Sequence, residues 1–181
     1  MAVKALKQLI FDADWGELDY LIIDTPPGTG DVHLSIVQSL PLTGAVVVTT
    51  PQPVALADAK KAVAMLKMDN IKVPVLGLVE NMSWFTPKNY PEEKYFIFGE
   101  DGGENLAKSL SIKLLGKVPL VESIRQSGDV GRPAVLQQET IVEKYYSDLC
   151  EKLILNIDER NAKLEPTKVV GVEYGTPKCS T

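Results

Sequence analysis

Asp24 is the residue in this chain best placed to hold a metal ion. It closes the apolar run Leu21-Ile22-Ile23 and is followed at once by Thr25-Pro26-Pro27-Gly28-Thr29-Gly30-Asp31. A continuous apolar run reads as a buried parallel strand, and ligands of open α/β sheets sit beyond the carboxyl ends of such strands. A carboxylate at that edge can hold the water shell of a nucleotide-bound magnesium ion. A rigid turn built on Pro26, Pro27 and Gly28 can offer backbone N–H groups to a terminal phosphate. The plainer alternative is turn closure, since Asp before Pro and Gly is common turn chemistry. No G-x-x-x-x-G-K-[ST] loop, which would cradle the α- and β-phosphates, occurs among the 181 residues.

The other reactive side chains are sparse. Cys150 and Cys179 are far apart and lack the C-x-x-C spacing of a local metal site, so two independent thiols are expected. His33 is the single histidine and reads as a surface or capping residue. Gly99-Glu100-Asp101-Gly102-Gly103 has the outline of an anion loop at a helix start, but its two carboxylates would repel a phosphate, and turn and N-cap chemistry suffices.

Helical and strand patterns alternate from the first residue to about residue 120, the signature of βαβ units and a parallel sheet in an α/β fold. The spacing predicts a helix over 2–11, a strand over 19–24 ending at Asp24, and a helix over 32–40 capped by Asp31. A second strand over 44–50 is stopped by Pro51 and Pro53, and a helix follows over 54–68. The third strand is expected over 73–80, with Asn81 just past its end. Residues 82–99 break the rhythm with Trp84, Phe85, Tyr90, Tyr95, Phe96 and Phe98 among prolines and lysines. That segment is either an interaction loop or a set of aromatics folded back on the domain. A helix over 104–110, a short strand over 114–118 ending in Pro119-Leu120, a helical turn at 123–125 and a long amphipathic helix over 140–164 complete the pattern. Beyond Pro166 the chain is expected to be a mobile tail, with a short extended piece at 169–172.

The 45% apolar and 24% charged composition is that of an ordinary soluble domain, one by count, and a net charge of −5 with scattered lysines argues against a nucleic-acid partner. The segment after Met1 is too short and polar for a signal peptide, and no run of about 18 apolar residues could span a bilayer. A cytoplasmic location without membrane contact is expected.

Four segments together carry a resemblance: Asp24 to Asp31, Thr49-Thr50-Pro51-Gln52, Glu80-Asn81-Met82-Ser83 and Val118-Pro119-Leu120. With Trp15 to Tyr20, Phe98-Gly99, Gly102-Gly103 and Gly128 to Pro133, the chain resembles the Mrp family of P-loop ATPases. These are iron–sulfur cluster carriers related to the MinD and ParA ATPases and the nitrogenase iron protein. The resemblance implies a three-layer sandwich with a mostly parallel sheet, P-loop NTPase-like, lacking its N-terminal strand and phosphate-binding loop, which are expected upstream of Met1. Residues 1–165 would be the C-terminal part of the ATPase domain and 166–181 a tail. Asp24 would be the Walker B-type carboxylate near Mg2+, and Gly28 would sense the γ-phosphate of ATP. Asn81 would face the adenine ring, or else simply form a turn, and Pro119 would line the ring's other side, or else punctuate the strand. A homodimer and iron–sulfur apoprotein recipients are implied.

One departure bears on a [4Fe-4S] cluster. Many relatives carry a C-x-x-C pair soon after the Asn-Met segment, so that two pairs across a dimer ligate one cluster. Here Trp84 to Pro91 holds no cysteine, and Thr86 or Asn89 would be poor replacements for thiolate. The leading expectation is the C-terminal portion of an Mrp-like ATPase, inactive in hydrolysis as the chain stands. The alternatives are a MinD- or ParA-like positioning ATPase and a non-catalytic interaction protein working through the aromatic segment. The mixed charge of the last helix weakens the former, because those relatives commonly use a basic face.

Overall fold

A computed structural model describes residues 2–169 apart from Thr29, Lys88, Pro91 and residues 137–140. The expected tail beyond residue 169, with Cys179, lies outside the described residues, and 165–169 form neither helix nor strand.

Ala2–Phe11 forms α1 and Asp31–Ser39 forms α2. Three strands follow, β1 (Ala45–Thr49), β2 (Val75–Phe85) and β3 (Leu114–Leu120). They are joined by α3 (Pro53–Leu66) between β1 and β2, and by α4 (Gly102–Ser109) between β2 and β3. After β3 come α5 (Glu122–Asp129), a 3₁₀ turn at Ala134–Leu136 and the 23-residue α6 (Ile141–Lys163). The sheet is wholly parallel in the order β1-β2-β3. Parallel neighbours need a crossover, and α3 and α4 supply one each.

The sheet is covered on both faces, giving the three layers expected. On one face Val47 of β1 packs with Val37 of α2, Ala59, Val63 and Leu66 of α3, and Ile71 and Val73. On the other, Val79, Leu115 and Val118 pack under Tyr146, Leu149 and Leu153 of α6. Burying each such Val or Leu side chain contributes about 1.5–3 kcal/mol. Asn156 of α6 fastens this layer further, its amide donating to the Leu76 carbonyl at 2.9 Å while its oxygen accepts from Lys113 Nζ at 2.8 Å.

The start of α3 follows from its sequence. Pro53 occupies its first turn, where the N–H that proline lacks would have no partner in any case.

Three expectations need correction. Residues 19–24 are not a strand: they pair with no strand, and Ile22 is 86% exposed. The apolar run carries the composition of a buried strand, but strand structure also needs a hydrogen-bonding neighbour, and the sheet ends at β1. Second, Asp31 is the first residue of α2 and not its cap; Gly30 takes the cap position in extended conformation without a side-chain bond. Third, β2 does not stop before Asn81 but continues to Phe85, past an irregularity between Asn81 and Phe85 where Met82 adopts φ 54°. An antiparallel bridge from Phe85 to Tyr95 extends the hydrogen bonding. Pro119 likewise lies inside β3, which runs two residues beyond Val118.

The aromatic segment divides between its two readings. Trp84 is 7% exposed and stands edge-on to Tyr145 of α6, with Lys94 over its ring. Tyr90, Tyr95, Phe96 and Ile97 remain exposed.

Candidate functional site

The carboxyl ends of β1, β2 and β3 form the edge at which an open parallel sheet takes a ligand. Register places Thr49, Glu80 and Lys117 side by side across the three strands. One step further along, Asn81 stands opposite Val118, with Pro119 next to it. The two residues expected to flank a base are thereby brought onto neighbouring strands.

Asn81 is half-buried, and its side-chain oxygen accepts the Met82 backbone N–H at 3.0 Å. The bond lies inside β2, so it is a local side-chain contact and not the turn that was the plainer reading of this residue. It uses only the oxygen, so the two N–H donors of the amide are directed elsewhere. Ser83, buried, donates its hydroxyl to the Glu80 carbonyl at 2.8 Å and braces the same bend from inside.

Asp24, Pro27 and Gly28 lie together on an exposed turn that leads through Gly30 into α2. Gly28 has φ +96°, a conformation that L side chains rarely adopt. Thr25 and His33 close the turn, with Thr25 Oγ1 3.1 Å from His33 Nε2. The contact joins two side chains and caps no helix, and among the described residues His33 Nδ1 is buried without a partner. Among the described residues no hydrogen bond or ion pair links this turn to Asn81 or Pro119.

Sequence reasoning missed Glu80 and Lys117. Glu80 is 1% exposed and accepts the backbone N–H of Gly103, in the first turn of α4, at 2.5 Å. A carboxylate on the first-turn N–H groups of a helix is favourable for the macrodipole and satisfies a donor with no partner inside the helix. Asp101, in the segment read as turn and N-cap chemistry, takes the cap position of α4 but makes no side-chain cap bond; it sits at φ 56° and instead pairs with Lys117. Lys117 also binds Glu104 at 2.5 Å, and Glu104 binds Lys108 at 2.7 Å. Burial alone would lower the Lys117 ammonium, but Asp101 and Glu104 outweigh it and hold its pKa up at about 12. Hydrogen bonds from Lys108 and then Lys117 hold the Glu104 carboxyl down at about 2. The signal was present in the chain: Glu80 is the one charge in an apolar strand, and the Gly102-Gly103 pair marks a close approach. A Cβ on Gly102 would stand 2.5 Å from the Pro51 carbonyl oxygen, and one on Gly103 would stand 2.9 Å from the Glu80 carboxylate.

The cluster ligands of a carrier are not assembled here. Among the described residues no group of three or more His, Cys, Asp or Glu could hold a metal ion, and Cys150 is a free, exposed thiol on α6.

A parallel sheet with helices on both faces and a ligand edge at its strand ends defines an α/β domain of the P-loop NTPase type. The chain belongs to the ParA-type family of NUBPL iron-transfer P-loop NTPases, whose sequence profile matches residues 1–154. It is 46% identical over 181 residues to the iron–sulfur protein required for NADH dehydrogenase, mitochondrial, of Arabidopsis thaliana, covering 99% of this chain and 56% of that protein. It is 50% identical over 139 residues to the iron–sulfur cluster transfer protein NUBPL of Mus musculus, covering 76% of this chain and 42% of that protein. Among solved structures, an Archaeoglobus fulgidus nucleotide-binding protein in complex with ADP matches with TM-score 0.67 and 35% identity, over 80% of this chain and 57% of that one. The Pyrococcus furiosus cell division ATPase MinD shares the fold at TM-score 0.58 and 23% identity, over 84% of this chain and 56% of its own. The chain spans about half the length of the curated relatives it matches.

Proposed function

We propose that this chain supplies the base-reading edge and the second-switch turn of an ATP-binding iron–sulfur cluster carrier. The observation that carries the reading is the placement of Asn81 beside Val118 and Pro119 at the carboxyl edge of a parallel sheet, within a family of nucleotide-binding iron-transfer proteins. In this reading the amide donors of Asn81 meet ring-nitrogen acceptors of adenine, while Pro119, buried within β3, backs that edge from inside. The Pro26-Pro27-Gly28 turn presents its backbone to the γ-phosphate. The exposed Asp24 carboxylate is a hard oxygen donor of the kind that suits magnesium, which it would hold through water. Bound there, Mg2+ would neutralise charge on the transferring phosphate.

The phosphate cradle belongs, on this proposal, to sequence other than these 181 residues. One further parallel strand between 19–24 and β1 would give both their hydrogen-bonding neighbour and would cover Val48, 61% exposed on the edge strand. A homodimer, a cytoplasmic setting and iron–sulfur apoproteins as recipients complete the proposal. No helix among the described residues is long and apolar enough to cross a membrane. The cluster itself is cargo, and the described residues offer it no thiolate set, so no transfer step is assigned to them.

Phosphate release with MgATP tests the catalytic half of the reading. The chain alone is expected to match its Asp24→Ala variant at background, because positioning by the cradle accounts for most of such catalysis. Magnesium-dependent hydrolysis above that control overturns it. The exposed aromatics Tyr90, Tyr95 and Phe96, with Ile97, favour a second reading, a protein contact surface. Under that reading, replacing residues 90–97 with a Gly/Ser linker abolishes partner capture while nucleotide affinity is unchanged.

A further inference from the structure

Two charged side chains that no part of the proposed function uses lie directly beneath the residues that it does use. Glu80 immediately precedes Asn81, and Lys117 stands two residues before Pro119. The two are partners across β2 and β3. Both turn toward the same object, the first turn of α4: Glu80 takes the Gly103 N–H, and Lys117 takes the carboxylates of Asp101 and Glu104.

This arrangement is costly in isolation. A carboxylate 1% exposed forfeits nearly all of its hydration, and only a fixed partner offsets that loss. The partner is a backbone amide of a helix start that can come this close because residues 102 and 103 have no Cβ. The Gly103 N–H is thus held by a side chain 23 residues upstream, and Lys117 is half-enclosed by the two acidic residues that flank the same turn. The contact plugs the positive end of α4 with the protein's own carboxylate, so that end is not a place for a phosphate. What remains for it is mechanical: it clamps β2 and β3 next to Asn81 and to Pro119, the latter buried within β3. The bend after Asn81, with Met82 at φ 54° and Ser83 bonded back to Glu80, starts from the clamped residue.

We propose that Glu80 and Lys117 are positioning residues, which lock the first turn of α4 to the sheet edge and so fix Asn81 in the geometry that selects adenine over guanine. This rests on the base-reading role given to Asn81 above. With one lone pair of its oxygen engaged by Met82, the Asn81 amide is oriented with its N–H donors outward. Held at the N1 position, an amide N–H is accepted by adenine N1 and opposed by guanine N1–H; free to move, it could reach guanine O6 instead, so selectivity depends on the amide being held still.

The test compares ADP and GDP affinity of the full chain by calorimetry, together with hydrogen exchange at the Gly103 amide. Wild type should prefer ADP by about five- to tenfold, the worth of one hydrogen bond, and Asn81→Ala should erase that preference. Glu80→Ala should deprotect the Gly103 amide and reduce the ADP preference toward that of Asn81→Ala. Lys117→Met should reduce it as well, and Lys117→Arg, which keeps the ion pairs, should restore it. If Glu80→Ala does not fold, the Lys117 pair decides the matter. An Asn81→Ala variant that loses the preference while Glu80→Ala and Lys117→Met, both folded, retain it overturns the clamp and leaves the base reading standing. No preference in wild type overturns both.

Discussion

Replacing Trp84 by alanine should unfold this domain far more readily than a surface aromatic would. The indole is 7% exposed on β2 and meets Tyr145 of α6 edge-on, with ring centroids 5.6 Å apart and planes at 73°. Lys94 lies 4.3 Å above the ring centre. Truncating a buried Trp costs about 3–5 kcal/mol in lost transfer and cavity terms. The edge-on pair should appear as about 0.5–1.5 kcal/mol of coupling in a cycle with Tyr145→Ala. For a chain of this length each kcal/mol lowers the melting temperature by about 2–4 °C, so Trp84→Ala should melt about 6–20 °C lower. Far-UV circular dichroism gives the melts, and urea titrations of the two single variants and the double variant give the cycle. A loss under about 1 kcal/mol with no coupling to Tyr145 would refute the assignment of this aromatic to the core.

Other outcomes follow from the same contacts. Gly102→Ala should destabilise by about 1–3 kcal/mol in urea unfolding, since its Cβ meets the Pro51 carbonyl, a backbone atom that cannot swing aside. Gly128→Ala, which meets nothing within 4 Å, should be neutral or gain up to about 1 kcal/mol. The acidic members of the ion clusters set an acid limit: Glu104 and Glu159 have carboxyls lowered from 4.5 to about 2, so their stabilisation is full above pH 4.5 and is lost as pH falls toward 2. Lys117, raised from 10.5 to about 12, contributes fully below pH 10.5 and loses its contribution as pH rises through 12. Urea midpoints across pH should decline at both ends, more gently in high salt, and Lys117→Met should flatten the alkaline decline. Asn156→Leu should cost about 1–3 kcal/mol by leaving the Leu76 carbonyl without its α6 donor, read from the same titrations.

Where the sequence carried a complete local signal, the fold was legible. Helix α1 was bounded residue for residue by its apolar spacing, and Pro53 and the Val46-Val47-Val48 run fixed the junction of β1 with α3. Residues 19–24 show where local pattern stops short of structure. Hydrophobicity records what a segment is fit to bury, whereas a strand is made by its neighbour, and no local pattern names the neighbour. Asn81 shows a related limit: an irregularity such as that at Met82 lets a strand run past a residue that looks like its end. Of the candidate site, Asn81 and Pro119 read as strand-end residues but lie inside their strands, which are neighbours in the sheet. The Glu80 and Lys117 contacts were not, because a buried ion declares itself only through partners 23 and 16 residues away along the chain.

The order of elements has a consequence during biosynthesis. Helix α6 leaves the ribosome after every strand it covers, yet with Ile124 of α5 it roofs Val79, Leu115 and Val118, with Leu149 seated over Gly116. Until it arrives, the nascent sheet carries one finished face and one greasy one. A premature stop codon anywhere between 141 and 153 would therefore release a polypeptide that has most of its secondary structure and still presents a chaperone-binding surface. Such products should be cleared by proteolysis instead of accumulating as soluble truncations.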